Sequence, residues 1–225
     1  MKITQFITSF ATGCIFLTGS ASATILFSQR VPNPELEDSA SGSDVDGFFG
    51  GGSQSADNLT LASPAIAHTV TWWGIFGEEG VPVNPVSFDL IFYADASGLP
   101  DKNSVLSSTN VTFTTLTDTG ENFGENPWGD NVYVFQANLT PTSLPGGEQI
   151  WFSVLADSGS ADDGDFRWRS DDNGDPAAFR VRLAEATTFI AASGDFSFVL
   201  EGVPEPSTTA LLGLGGLALI LRRRK

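Results

Sequence analysis

Several stretches of this chain alternate apolar and polar residues with a period of two. That period is what a β-sheet with one buried face requires. In VSFDLIFYAD, Val86, Phe88, Leu90 and Phe92 fall on one face, with Ser87, Asp89 and Tyr93 largely on the other. QIWFSVLAD places Ile150, Phe152 and Val154 together. AFRVRL sets Phe179, Val181 and Leu183 against Arg180 and Arg182, and DFSFVL sets Phe196, Phe198 and Leu200 against Ser197. Turn clusters separate these runs: GEEGVPVNP, ASGLPDKN, TPTSLPGGE and DDNGDP. Eighteen Phe and five Trp beside a single Met suit a sheet core better than a helical one. The fold class expected is all-β: a single antiparallel β-sandwich or jelly-roll-like domain, flanked by an N-terminal signal helix and a C-terminal short transmembrane helix. The Gly/Ser/Asp-rich stretch SDVDGFFGGGSQSADN reads as a loop or loose lead-in to the first full strands.

The N-terminal 23 residues have the build of a secretory signal peptide. Lys2 precedes an apolar run from Ile7 to Leu17, and small residues end in Ala21-Ser22-Ala23. Cleavage is expected after Ala23, with Ala21 and Ala23 as the small residues of the cleavage site. Cys14 does not make a lipoprotein site, because Ala11 is a poor upstream residue and the apolar run continues through Ile15, Phe16 and Leu17. The mature chain then has no cysteine, in a compartment that permits disulfides. Residues 24–203 form the body and are long enough for one sizeable core. The body holds 26 of the 27 acids and only six of the 11 basic residues. Such a surface repels nucleic acid, which excludes it as a partner, and favours solubility.

Residues 204–225 differ in kind. VPEPSTTALLGLGGLALILRRRK begins with two prolines around a glutamate, continues with a short apolar segment and closes on four positive charges. As a helix, residues 207–221 span about 22 Å, short of the bilayer core of about 30 Å. Insertion therefore needs local thinning or help from flanking residues. Arg222, Arg223, Arg224 and Lys225 stay cytoplasmic and set the orientation, leaving the body outside. Pro204 and Pro206 keep the preceding stretch extended, because proline does not fit a helix interior. These three features in this order resemble a PEP-CTERM sorting signal. The resemblance implies that Pro204, Glu205 and Pro206 are the recognition motif for exosortase, a membrane cysteine protease. It also implies that the tail is a transient inner-membrane anchor, and that the host is a Gram-negative bacterium whose exported protein reaches the cell surface or the extracellular biofilm matrix, where exopolysaccharide is a candidate partner. ATILFSQ, ADNLTL, VTWWGIF, FDLIFYADASGLP and FSFVLEG are similar to a β-sandwich body common among such proteins.

Catalytic chemistry is poorly supplied. His68 is the single histidine, and strict alternation puts it on one face with Ile66, Val70 and Trp72, as a residue at the core margin. There is no G-x-S-x-G, no mature cysteine and no His-rich zinc set. No enzyme activity is expected, no cofactor is required, and no ligand-binding residue stands out. Asp171, Asn173 and Asp175 start like a calcium loop, but Pro176 replaces the glycine and Arg182 the bidentate glutamate of an EF-hand. A looser Ca²⁺ site on these three residues is the metal expectation, against plain turn-forming chemistry. Trp168, flanked by Arg167 and Arg169, alternates with Phe166 and so belongs in the core. One of Trp72 and Trp73 must point outward. The reading is a secreted surface or matrix structural protein. The alternatives are a carbohydrate-binding module using exposed aromatics, with or without Ca²⁺, and a glycan-active enzyme.

Overall fold

The computed structural model describes residues 23–29, 40–45, 52–76, 85–122, 131–157, 166–171, 179–182, 189–191 and 195–205. The expected signal helix before Ala23 and the transmembrane helix of the tail lie outside these residues. Fourteen strands run through the described residues: β1 (Thr24–Ser28), β2 (Ala40–Gly42), β3 (Ser53–Thr60), β4 (Ala65–Phe76), β5 (Val86–Asp95), β6 (Pro100–Phe113), β7 (Thr117–Asn122), β8 (Asn131–Leu144), β9 (Gln149–Asp157), β10 (Phe166–Asp171), β11 (Phe179–Arg182), β12 (Ile190–Ala191), β13 (Asp195–Phe196) and β14 (Phe198–Pro204).

They pair into two antiparallel sheets. In the eight-stranded sheet β4 pairs with β8 on one side and β14 on the other, with β7 beyond β8 and β1 beyond β14. Strand β10 pairs with the far end of β4 and carries β2 and β13. The six-stranded sheet has the order β12-β11-β3-β9-β5-β6. The main core lies between the sheets and draws on both. The Trp72 ring stacks on Phe135 at 5.4 Å and 14°, and meets Phe88 edge-on at 5.3 Å. Phe166 meets Phe88 at 5.0 Å and 83°. Further along, Trp168 stacks on Phe196 at 4.7 Å and donates its Nε1–H to the Ser197 carbonyl at 3.1 Å. Ring pairs of this kind contribute about 0.5–1.5 kcal/mol each beyond the area they bury.

The period of two places most of this core. Val86, Phe88, Leu90 and Phe92 are buried between the sheets, as are Ile150, Phe152 and Val154, and Phe196, Phe198 and Leu200. Phe179 and Val181 lie in β11, paired with β3, while Leu183 falls outside the described residues. Asp89 stays on the outer face, where its Oδ1 accepts a hydrogen bond from Asn110 Nδ2 at 2.8 Å. Trp168 is fully buried, as its alternation with Phe166 requires.

Two expectations are corrected. Strict alternation fails at His68. The pairing of β4 with both neighbours shifts between Ala67 and Thr69, so His68 sits in a β-bulge that takes up one residue without a partner row. Ala65 and Ala67 therefore face the core before the bulge, and Val70 and Trp72 after it. Ile66 and His68 do not share that face. The second correction concerns SDVDGFFGGGSQSADN. Its final residues form β3, flanked on both sides by β9 and β11. Its buried polar atoms are satisfied: Gln54 Nε2 donates to Tyr93 Oη at 2.9 Å and to Ser153 Oγ at 3.0 Å, and Asp57 Oδ1 accepts from the Asn58 amide at 2.9 Å. Its first residues stitch the sheets together. The Ser43 amide donates to the Phe166 carbonyl in one sheet, and its carbonyl accepts from Ala156 in the other. Asp44 Oδ2 accepts from the Phe166 amide at 3.2 Å.

Opposite the bulge stands Gly202. A Cβ there would lie 2.1 Å from the Ile66 carbonyl oxygen and 2.9 Å from Ala67 Cα, so only glycine lets β14 follow β4 past the extra residue.

Phe88→Ala is expected to destabilise the body by about 3–5 kcal/mol, as for other buried Phe truncations. Asp89→Ala, which gives up one exposed hydrogen bond, stays within about 1 kcal/mol of wild type. Chemical denaturation of the two variants checks this, and equal losses would contradict the strand register. Gly202→Ala should cost about 1–3 kcal/mol by overpacking against backbone, read as a lowered melting temperature.

Candidate sorting site

Strand β14 continues without a break into the Pro-Glu-Pro motif. Pro204 is its last residue and pairs with Ala65, one row beyond Val203 with Ile66. The next amide, that of Glu205, donates to the Pro64 carbonyl at 2.9 Å. The Glu205 side chain reaches across the start of β4 to β8, where Oε1 accepts from Ser143 Oγ at 2.8 Å. Pro204, Glu205 and Ser143 are all exposed to solvent. Pro204 and Glu205, the first two residues of the motif, are thus docked on the sandwich.

Two turns hold the docking surface in place. Pro64 closes the connection from β3 to β4. Against it lies the connection from β8 to β9, where a Cβ on Gly146 would fall 2.2 Å from the Ser63 carbonyl carbon and 2.3 Å from the Pro64 nitrogen. Gly147, at a φ of 74° that favours glycine, donates its amide to the Leu61 carbonyl at 2.8 Å. The carbonyl that receives the Glu205 amide is thus buttressed by backbone on backbone.

Strand β1, which follows the expected signal cleavage, reaches the same pole. Thr24 pairs with Gly202, two residues before Pro204 on β14, and Ala23, the residue at the expected signal cleavage, is exposed beside it. The turns 61–64, 96–99 and 145–148 also belong to this pole. The described residues that flank the densest acidic run lie at the other one: Asp157 pairs with Ser87 at the start of β5, and Phe166 with Phe76 at the end of β4.

The remaining candidates are distributed as follows. Ala21, Pro206, Arg222, Arg223, Arg224 and Lys225 lie outside the described residues, as do Asn173 and Asp175 of the expected calcium loop. Asp171 ends β10, with its Cα opposite that of Asp195. Among the described residues no group of three or more His, Cys, Asp or Glu is arranged to hold a metal ion, and no helix is long and apolar enough to cross a membrane. A shallow cleft of about 390 Å³ between Asp95, Leu106, Pro145 and Glu148 lies near the motif pole. Asp95 is committed to structure there, accepting from Trp151 Nε1 at 2.8 Å and from the Gly98 amide at 3.0 Å. Trp73, the outward member of the tryptophan pair, is covered in a second cluster with Ile75 and Val132. Ser143 and Pro64 carry no sequence signal of their own role. Ser143 lies 62 residues from Glu205 and becomes its partner only through the sheet.

Comparison with known proteins adds one informative match. Residues 202–225 match the family model described as the PEP-CTERM protein-sorting motif. A search of curated proteins returned no match. Among solved structures, the chain is similar to the clostridial cysteine protease Cwp84 after propeptide cleavage, at 12% identity and a TM-score of 0.44. That likeness covers 76% of this chain and 38% of the protease chain, so this chain spans well under half of that protein. The matched residues begin at Gly202, inside β14: the chain carries a PEP-CTERM protein-sorting motif, joined without a linker to the last strand of an all-β body.

Proposed function

We infer that this is an exported protein processed by exosortase, and that its sandwich is a non-catalytic structural body held at the cell surface or in the extracellular matrix of a Gram-negative bacterium. The observation that carries this reading is the sorting motif itself, matched over residues 202–225, with Pro204 and Glu205 exposed at one pole of the body. The placement of Ala23 beside it supports the same reading. Signal-peptide removal and motif recognition both take place at a membrane, and the nearness of Ala23 and Glu205 suits that reading. The acidic body, with 26 acids against six bases, suits a soluble exported module.

A carbohydrate-binding module would use exposed aromatic rings as sugar platforms. Trp72, Trp73, Trp151 and Trp168 are at most 6% exposed, so none of these four supplies one. Two of the described acids, Asp44 and Asp57, are committed to structure, accepting hydrogen bonds from backbone amides in the core. The structural reading is therefore preferred over the sugar-binding and glycan-active alternatives.

Expression of Glu205→Ala with Pro206→Ala in the native host tests the proposal. A longer, membrane-retained species is expected, detected by immunoblot of membrane and released fractions. Identical size and location for variant and wild type would contradict it.

A further inference from the structure

The docked motif has a consequence for how fast it can be recognised. An enzyme that grips an extended peptide uses main-chain hydrogen bonds and a pocket for a side chain. In the folded body both handles of Glu205 are already occupied. Its amide is bonded to the Pro64 carbonyl at 2.9 Å, and its carboxylate is bonded to Ser143 Oγ at 2.8 Å. No spacer separates the motif from the sandwich, because Pro204 is itself a strand residue paired with Ala65. The chain cannot swing Glu205 away from the body while those bonds hold.

We propose that Ser143 is a positioning residue for the sorting reaction: together with the Pro64 carbonyl it holds the motif docked on the sandwich, and the processing enzyme acts on the fraction of molecules in which Glu205 has lifted off. The inference rests on the reading of residues 202–225 as the site of enzymatic recognition. When only one of two states is competent, the apparent affinity falls by the competent fraction. Both bonds lie at a solvent-exposed pole, so each shifts that fraction modestly. The device is a brake on processing and not a lock. It favours substrate whose sandwich has already folded being held until the enzyme captures an opened motif, and it makes processing sensitive to a residue outside the motif.

The test is a pulse-chase of the full chain in the native host, following conversion of the membrane-retained precursor to the processed species. Ser143→Ala should shorten the half-time about two- to fivefold, the factor expected from one exposed hydrogen bond. Ser143→Thr keeps the hydroxyl and should convert at the wild-type rate. The melting temperature of the body should be the same in all three, since Ser143 is exposed and its loss opens no cavity. A Ser143→Ala half-time equal to or longer than wild type overturns the proposal. So does equal acceleration by Ala and Thr, which would assign the effect to something other than the hydrogen bond. Glu205→Ala with Pro206→Ala is run alongside. If that variant is blocked while Ser143→Ala is unchanged, the docking idea alone fails. If it converts normally, the sorting reading fails and takes the docking idea with it.

Discussion

The pairing of β14 with β4 is the interaction on which the rest of this structure depends. Seven registered pairs run from Phe198 with Trp72 to Pro204 with Ala65. The inward members, Phe198, Leu200, Trp72 and Val70, stand in the main core. The outer edge of β14 receives β1 and so fixes Thr24–Ser28 on the sheet. The last pair delivers the sorting motif to its pole. A single two-strand ladder thus joins core stability to the placement of the sorting motif. The bulge at His68 and the glycine at position 202 are matched parts of that ladder, the extra residue in one strand being accommodated by the missing side chain in the other.

With no cysteine after Cys14, residues 24–203 are held by packing and by buried polar ties. Interlocked aromatic rings fill the space between the sheets, from Trp72, Phe88 and Phe135 at one side to Trp168, Phe196 and Phe152 at the other. The ties run between the sheets. Ser43 and Asp44 bond to Phe166 in one sheet and to the Ala156 and Ser53 backbone in the other. Asp57, in the six-stranded sheet, accepts the amide of Phe196 in the other. Such bonds are worth little when made and much when broken, because the abandoned partner is left buried. They specify how the two sheets meet, a role that disulfides play in many exported sandwiches.

The fold was legible wherever side-chain periodicity reports burial directly. Phe88, Phe152 and Phe198 each alternate with a less apolar neighbour and each is buried between the sheets. Legibility ended where a partner strand changes the count. Nothing within AIAHTVTWWG announces a bulge, so alternation puts Ile66 on the face of Val70 and Trp72 although the inserted residue moves it off. It ended also where polar residues are buried by tertiary bonds: SQSADN looks like solvent-facing loop until Tyr93 and Ser153 are brought against Gln54. The motif Pro204-Glu205-Pro206 was legible as a motif because three features sit in order along the chain. Its docking was not, because Ser143 and the Pro64 carbonyl reach Glu205 only through the assembled sheet.

The molecule is polar in the geometric sense. One pole gathers Ala23, Glu205 and three short turns, and the strands flanking the acidic run between Asp157 and Phe166 end at the other. The most direct measurement is mass spectrometry of both termini of the protein recovered from the surface or medium of its native host. The account predicts an N-terminus at Thr24 and a C-terminus within or shortly after Pro204–Pro206. A recovered protein that still carries Arg222 to Lys225 would contradict it.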